Sequence, residues 1–208
     1  MNIQKIQKSQ TKIIGKTIKY QEQITSTHTI AKQMATEANK QTKRNELTKE
    51  HQFINGKILL ADLQTAGIGT KGRKWYTGKG KNIAMTIMLK PKCQIEKLQN
   101  LTKIIAISMQ QAIKELYQYE LTIKEPNDLL LNEKKICGIL TEINTISEQI
   151  NYLLISVGFN VNEENFSSET ENIATSLKKE FNKEFQREDI ITRFIEILEN
   201  NIIEEIEL

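Results

Sequence analysis

The stretch "ADLQTAGIGTKGRKW", Ala61 to Trp75, decides how this chain is read. Glycines at 67, 69 and 72 let backbone N–H groups come close to a ligand, while Lys71, Arg73 and Lys74 add positive charge that suits a phosphate. The spacing Gly67-x-Gly69-x-x-Gly72 matches a dinucleotide-binding fingerprint in form only. That fingerprint needs a helix opening at its last glycine, whereas "RKWYTGKGKN" follows, with no apolar period of 3.6. The segment therefore reads as a loop held between two strands, "GKILLAD" before it and "NIAMTIML" after it.

Working outward, "STHTIAKQMATEA" reads as a helix capped by Ser26 or Thr27, with Ile30 and Met34 on one face, and "NKQTKRNELTKEHQ" as a polar loop after it. The clearest helix is "IEKLQNLTKIIAISMQQAIKELYQY", whose Leu98, Leu101, Ile105, Met109, Ala112 and Leu116 form one core-facing stripe. Strands "LTIK", "KICGILTEI" and "NYLLISVGFNV" come next, the last two joined through "NTISEQ" as a hairpin. A closing helix, about Asp189 to Glu205, carries Ile191, Ile195, Leu198 and Ile202 at helical spacing. There is no internal repeat.

With 208 residues and 38% apolar content, the chain is expected to form a single domain over residues 1–208 with a sizeable core. No run approaches the roughly 18 apolar residues of a membrane span, and "MNIQKIQKSQTK" lacks the apolar block of a secretory signal. The expectation is a cytoplasmic protein that does not engage a membrane. Cys93 and Cys137 stand far apart without metal-type spacing, so they read as buried thiols rather than a bridge or a metal site.

The net charge of +3 conceals two halves of opposite sign: residues 1–100 hold 19 Lys+Arg against 6 Asp+Glu, and residues 101–208 hold 10 against 20. A basic half steers an anionic ligand towards the glycine loop, although most of these lysines read as a solvated surface. The cations are dispersed and aromatics total 6%, which argues against nucleic acid as a partner.

Three separated segments carry a further signal: "DLQTAGIGTKGRKW", "KEPNDLLLNEKKICGIL" from Lys124 to Leu140, and "VGFNVN" from Val157 to Asn162. Together and in this order they resemble the biotin protein ligase family, with "STH" at 26–28 and "ATSL" at 174–177 as lesser matches. The resemblance covers roughly residues 15–205. It implies an α+β fold, a mixed β-sheet flanked by helices, related to the class II synthetases. It also implies a two-step reaction in which biotin and ATP, with Mg2+, give biotinyl-5′-adenylate, and a lysine of a biotin carrier domain then takes the biotinyl group. Acetyl-CoA carboxylase or another biotin-dependent carboxylase would supply that carrier.

The same resemblance assigns roles. Lys135 matches the family's lysine between carboxylate and phosphate, where a fixed cation lowers the barrier, and Asp128 would orient or deprotonate the acceptor lysine. Ser26, Thr27, Gln64, Gly67, Gly69, Lys135 and Gly138 are expected to hold biotin, a mostly apolar ligand that needs few polar groups. Gly72, Arg73, Trp75, Asn127 and Asn160 are expected on the nucleotide, with Trp75 stacking on adenine. Without the motif, Lys135 reads as a solvated hairpin end, Asn127, Asp128 and Asn160 as turn residues, and Trp75 as core. His28 and His51 are not expected to be catalytic, and no side chain is assigned to a metal.

The chain also departs from the family pattern. Ile68 and Thr70 stand where arginines are usual, Glu125 where tryptophan is, His28 where asparagine is, and Ser156 where glycine is. The residues before "TSTH" are too few for the winged-helix domain of some members, and the chain stops at its closing helix, so a catalytic core without the C-terminal β-barrel is expected. A lipoate ligase of the same fold and a degenerate, non-catalytic biotin-binding protein are the alternatives.

Overall fold

The computed structural model describes residues 1–44, 54–203 and 206–208. His51 and the end of the polar stretch after the first long helix lie outside them.

Among the described residues seven strands form one mixed sheet. In chain order they are β1 (Ile18–Ile24), β2 (Lys57–Gln64), β3 (Ile83–Leu89), β4 (Thr122–Lys124), β5 (Asp128–Leu131), β6 (Lys134–Ile146) and β7 (Gln149–Phe159). Their spatial order is β1-β2-β3-β7-β6-β5-β4; β1 and β2 pair in parallel and every other pair is antiparallel. All seven residues of β3 are buried, as are Lys57 to Ala61 of β2 and Tyr152 to Val157 of β7. The central strands are covered on both faces, which is why they read as continuous apolar runs rather than alternating ones.

One face carries the larger core, closed by α1 (Ile3–Gln7), α3 (Leu101–Tyr117) and α5 (Arg187–Ile202). The expected stripe of α3 is there: Leu101, Ile105, Met109 and Ala112 are buried, and Leu98 is buried in a 3-10 turn just before the helix. The other face is covered by α2 (Thr27–Arg44), where Ala31 and Ala35 pack on Leu59, Met88, Tyr152 and Leu154. Ser26 caps α2, its Oγ accepting from Thr29 N–H at 3.4 Å. A short α4 (Leu177–Phe181) is capped by Ser176.

Several boundaries differ from the reading of the sequence. The helix α2 continues to Arg44, through residues expected in a loop, because Lys, Gln and Arg propagate a helix well. The hairpin between β6 and β7 is tighter than "NTISEQ": Ile146 pairs with Gln149, and only Ser147 and Glu148, at φ 47 and 65, make the turn. Asn132 and Glu133, at φ 50 and 65, likewise join β5 to β6. Cys93 and Cys137 are both buried, and burial pushes the Cys137 thiol well above its usual range. Among the described residues no helix is long and apolar enough to cross a membrane.

Candidate active site

The part of the sheet's α2 face that the helix itself leaves uncovered holds a cavity of about 490 Å³, within the size range of small-ligand sites. Its walls are the first turn of α2, the glycine loop between β2 and β3, the start of β5, and the stretch around Ile173 and Ala174; strands β6 and β7 form the floor. Of the residues expected at the site, all but Gly67 and Gly72 line this cavity.

Trp75 lies on the floor. A Cβ built on Gly158 would meet its indole Cε2 at 2.3 Å, and one on Gly138 would meet Cζ3 at 2.9 Å, so these strand glycines make the indole's seat. The loop that brings Trp75 there closes on itself as a small hairpin. Trp75 N donates to Gly67 O at 2.8 Å and Gly69 N to Arg73 O at 2.7 Å. At Gly67 any side chain would strike Trp75 O, 2.4 Å from its Cβ position. Trp75 Nε1 is buried against Gly158, with no hydrogen-bond partner among the described residues. Arg73 is drawn onto Thr70, donating to its carbonyl at 3.2 Å and its hydroxyl at 2.8 Å.

Lys135 Nζ stands 2.6 Å from Asp128 Oδ1 and 5.5 Å from the centre of the Trp75 ring. Its backbone is clamped: Lys135 N donates to Ile173 O at 2.8 Å, and Thr175 N donates to Lys135 O at 2.9 Å. The "ATSL" segment therefore runs beside the start of β6 and fixes where Lys135 begins. Asp128 also accepts from Asn127 Nδ2 at 3.2 Å, and that nitrogen donates to Ile139 O at 3.0 Å. Asn160 reaches back to the same clamp, its Nδ2 donating to Thr175 O at 3.0 Å. Both asparagines thus hold the scaffold with their amide nitrogen and keep the side-chain oxygen for other partners.

Thr27 and Gln64 form a polar corner. Gln64 Oε1 accepts from Thr27 N at 2.8 Å and Thr27 Oγ1 at 3.1 Å, while its Nε2 donates to Thr77 Oγ1 at 3.3 Å. Behind this corner stand His28 and Ser156, noted in the sequence only as departures from the family pattern, with Thr86 and Glu142, which no motif marks. His28 contacts Ser156 and Glu142, and Thr86 contacts Ser156 and Thr27. Strand parity offered a signal, since Ser156 and Glu142 share a face with Gly158 and Gly138. Among the described residues no group of three or more His, Cys, Asp or Glu stands together as a metal site.

A mixed sheet with α2 on one face, and a glycine loop and a lysine–aspartate pair over its floor, is the architecture of the class II synthetase-like biotin/lipoate ligase domain. The biotin protein ligase of Aquifex aeolicus, solved with biotin and ATP, superposes with a TM-score of 0.69 at 24% identity, over 92% of this chain and 72% of that one. The Leishmania major enzyme, solved with biotinyl-5-AMP, gives 0.65 at 23% identity, over 92% and 80%. The Biotin/lipoate A/B protein ligase family matches residues 20–160, and the chain belongs to that family. The bifunctional ligase/repressor BirA of Bacillus subtilis is 30% identical over 187 residues, 89% of this chain and 53% of that protein. The chain spans about half the length of such Bacillus relatives. A biotin–[acetyl-CoA-carboxylase] ligase of Paracoccus denitrificans is 32% identical over 105 residues, 50% of this chain and 43% of that protein.

Proposed function

We propose that the protein is an ATP-dependent biotin ligase that forms biotinyl-5′-adenylate and passes the biotinyl group to a lysine of a biotin carrier domain. The observation that carries this reading is Lys135 beside Asp128, at 2.6 Å, in a cavity that also presents the Thr27–Gln64 corner. The ligands bound to the similar solved structures and the names of the curated relatives support it.

In the first step a biotin carboxylate oxygen bonds to the α-phosphorus of ATP, and the α–β phosphoanhydride breaks to release pyrophosphate. Two anions have to meet, and Lys135 supplies a fixed cation for the charge that develops between them. In the second step the carrier amine attacks the biotinyl carbonyl, AMP leaves with the bonding electrons, and Asp128 takes the amine's proton. Thr27 and Gln64 face the ureido head, and the indole of Trp75, seated on Gly138 and Gly158, is the flat surface for adenine. Magnesium enters with ATP, the carrier is of the acetyl-CoA carboxylase type, and the setting is the cytoplasm.

Pyrophosphate exchange into ATP, run with biotin and with lipoate, tests the reading. Biotin-dependent exchange is the expected result. Exchange with lipoate alone would make the protein a lipoate ligase, and tight biotin binding without exchange would make it a degenerate binder.

The loop sequence carries a second expectation. Ile68 and Thr70 bring no charge where arginines are usual, and Arg73 is tied to Thr70. Fewer charge-assisted hydrogen bonds then hold the adenylate. One such bond is worth about 1.5–3 kcal/mol, so release of the intermediate should be roughly 10- to 150-fold faster than in the double variant Ile68→Arg, Thr70→Arg. Released adenylate acylates lysines of a bystander protein, and the double variant should reduce that labelling. Equal labelling and equal retention in both proteins would mean that Lys71 and Arg73 already fill the role.

A further inference from the structure

Beneath the first turn of α2 runs a chain of polar contacts that the proposed chemistry does not use. Glu142 Oε2 lies 3.0 Å from His28 Nε2, His28 Nδ1 lies 2.9 Å from Ser156 Oγ, and Ser156 Oγ lies 2.8 Å from Thr86 Oγ1. Thr86 Oγ1 lies 3.0 Å from Thr27 Oγ1, which lies 3.1 Å from Gln64 Oε1. Thr27, His28, Thr86 and Ser156 are all buried.

Every donor in this chain can be deduced, because one end is fixed. The backbone N–H of Thr27 can only donate, so the atom it meets at 2.8 Å is the carbonyl oxygen of Gln64. The Thr27 hydroxyl faces that same oxygen and must give it its single proton. Thr86 then donates to Thr27, and Ser156 to Thr86, which leaves Ser156 only lone pairs towards His28. Nδ1 therefore carries a proton. At the other end the Lys32 ammonium, which can only donate, stands 3.0 Å from Glu142 Oε1 and 3.1 Å from Oε2, and this pairing holds the carboxyl ionised. An ionised carboxylate only accepts, so Nε2 carries a proton as well.

We propose that His28 is held as an imidazolium whose Nδ1 proton sets the direction of the whole chain, making it a positioning residue for the Thr27–Gln64 corner. The role assigned to that corner rests on the reading of Thr27 and Gln64 as the contacts of biotin's ureido head. A neutral His28 that keeps its bond to Glu142 accepts from Ser156 instead. Each hydroxyl then turns round, and Thr27 gives its proton to Thr86. Gln64 Oε1 loses one of its two donors, and the corner is no longer locked. The charged and titratable groups around His28 are Glu142 from β6, Lys32 of α2, which reaches Glu142 Oε1 at 3.0 Å and the His28-facing Oε2 at 3.1 Å, and the Tyr152 hydroxyl from β7 at 3.3 Å from Oε1. Strands β3 and β2 contribute the uncharged Thr86 and Gln64, and the cavity's Lys135 and Asp128 are paired with each other.

The chain has two histidines, so long-range 1H–15N spectra of the ligand-free protein, assigned with His51→Gln, read the ring of His28 directly. Both ring nitrogens should give protonated-type shifts at pH 7; a neutral-tautomer pattern would overturn the proposal. Calorimetric titration with biotin should show affinity falling about tenfold as pH rises through the His28 titration, as expected for one hydrogen bond, with proton uptake on binding above that pH. In Ser156→Gly, which cuts the chain and leaves Thr27 and Gln64 in place, both effects should vanish. A pH-independent affinity in the natural protein, or an unchanged pH slope in Ser156→Gly, would overturn the positioning role. Absence of biotin binding at every pH would sink the proposed function and the positioning role with it, while the spectra alone decide the charge of His28.

Discussion

Lys135→Ala should lower biotin-dependent ATP–pyrophosphate exchange about 10²- to 10³-fold while changing ATP affinity only slightly. The expectation follows from when the charge is used. Lys135 stands 2.6 Å from Asp128 on a backbone held by Ile173 and Thr175, so its ammonium is fixed by the protein itself. A preorganised cation stabilises the transition state more than the ground state, because negative charge concentrates between carboxylate and α-phosphate only as the bond forms. Its loss therefore falls on kcat. The backbone clamp by Ile173 and Thr175 does not depend on the side chain, so the variant should keep its fold. Exchange near the natural rate would remove Lys135 from the chemistry, and a change confined to KM would make it a binding group.

Arg187→Ala should cost about 3–5 kcal/mol of folding stability, read as a shift of the urea midpoint. Arg187, only 9% exposed, donates to Asp62 Oδ1 at 2.8 Å and to Asn82 O at 3.1 Å. Asp62 also takes a hydrogen bond from Tyr20, which pushes the Tyr20 hydroxyl up to about 12. Removing the guanidinium leaves the Asp62 carboxylate largely buried beside a hydroxyl alone. The loss also reaches the site, since Asp62 O accepts from Gly80 N at 3.0 Å and Asn82 Oδ1 accepts from Val161 N at 3.0 Å. Arg187 thereby joins the far end of the glycine loop to the segment after β7. The pH dependence has a definite sign. Burial raises the Asp62 pKa, but the Tyr20 and Arg187 hydrogen bonds outweigh it and leave it lowered. Its stabilisation is then present above the ordinary carboxylate pKa and lost as pH falls below it, and Arg187→Ala should flatten that acid limb. A cost under about 1 kcal/mol would mean that the pair behaves as a surface bridge.

What could be read from the sequence was whatever imposes a local backbone demand or a long apolar period. The glycines between "GKILLAD" and "NIAMTIML" could not continue a strand, so the loop and its flanking strands were legible together. The stripe of α3 was legible for the same reason, as a period. Strands β1 and β5 were not read. β1 lies at the sheet edge as "IKYQEQI", half polar, and β5 is only the four residues "DLLL", too short to stand apart from the turn chemistry around it. The turns at Asn132–Glu133 and Ser147–Glu148 lack glycine, which hid how short they are.

The site divides along the same line. Lys135, Asp128, Thr27 and Gln64 were legible through motifs that keep them at fixed spacing. The seat of Trp75 was not, because Gly138 and Gly158 meet the indole only once β6 pairs with β7, with Gly138 opposite Gly158. His28 and Ser156 could be noticed singly as departures from a pattern, yet they are 128 residues apart. Their contact depends on α2 crossing β7 on the face that also carries Glu142, a fact of topology rather than of sequence spacing.

Biotin ligation is read directly from the intact mass of a biotin carrier domain after incubation with the protein, biotin and Mg-ATP. The expected result is a mass increase of one biotinyl group per carrier, on the carrier's acceptor lysine, absent when ATP is omitted and lost in Lys135→Ala. An unmodified carrier under conditions where the protein is folded and binds biotin would contradict it.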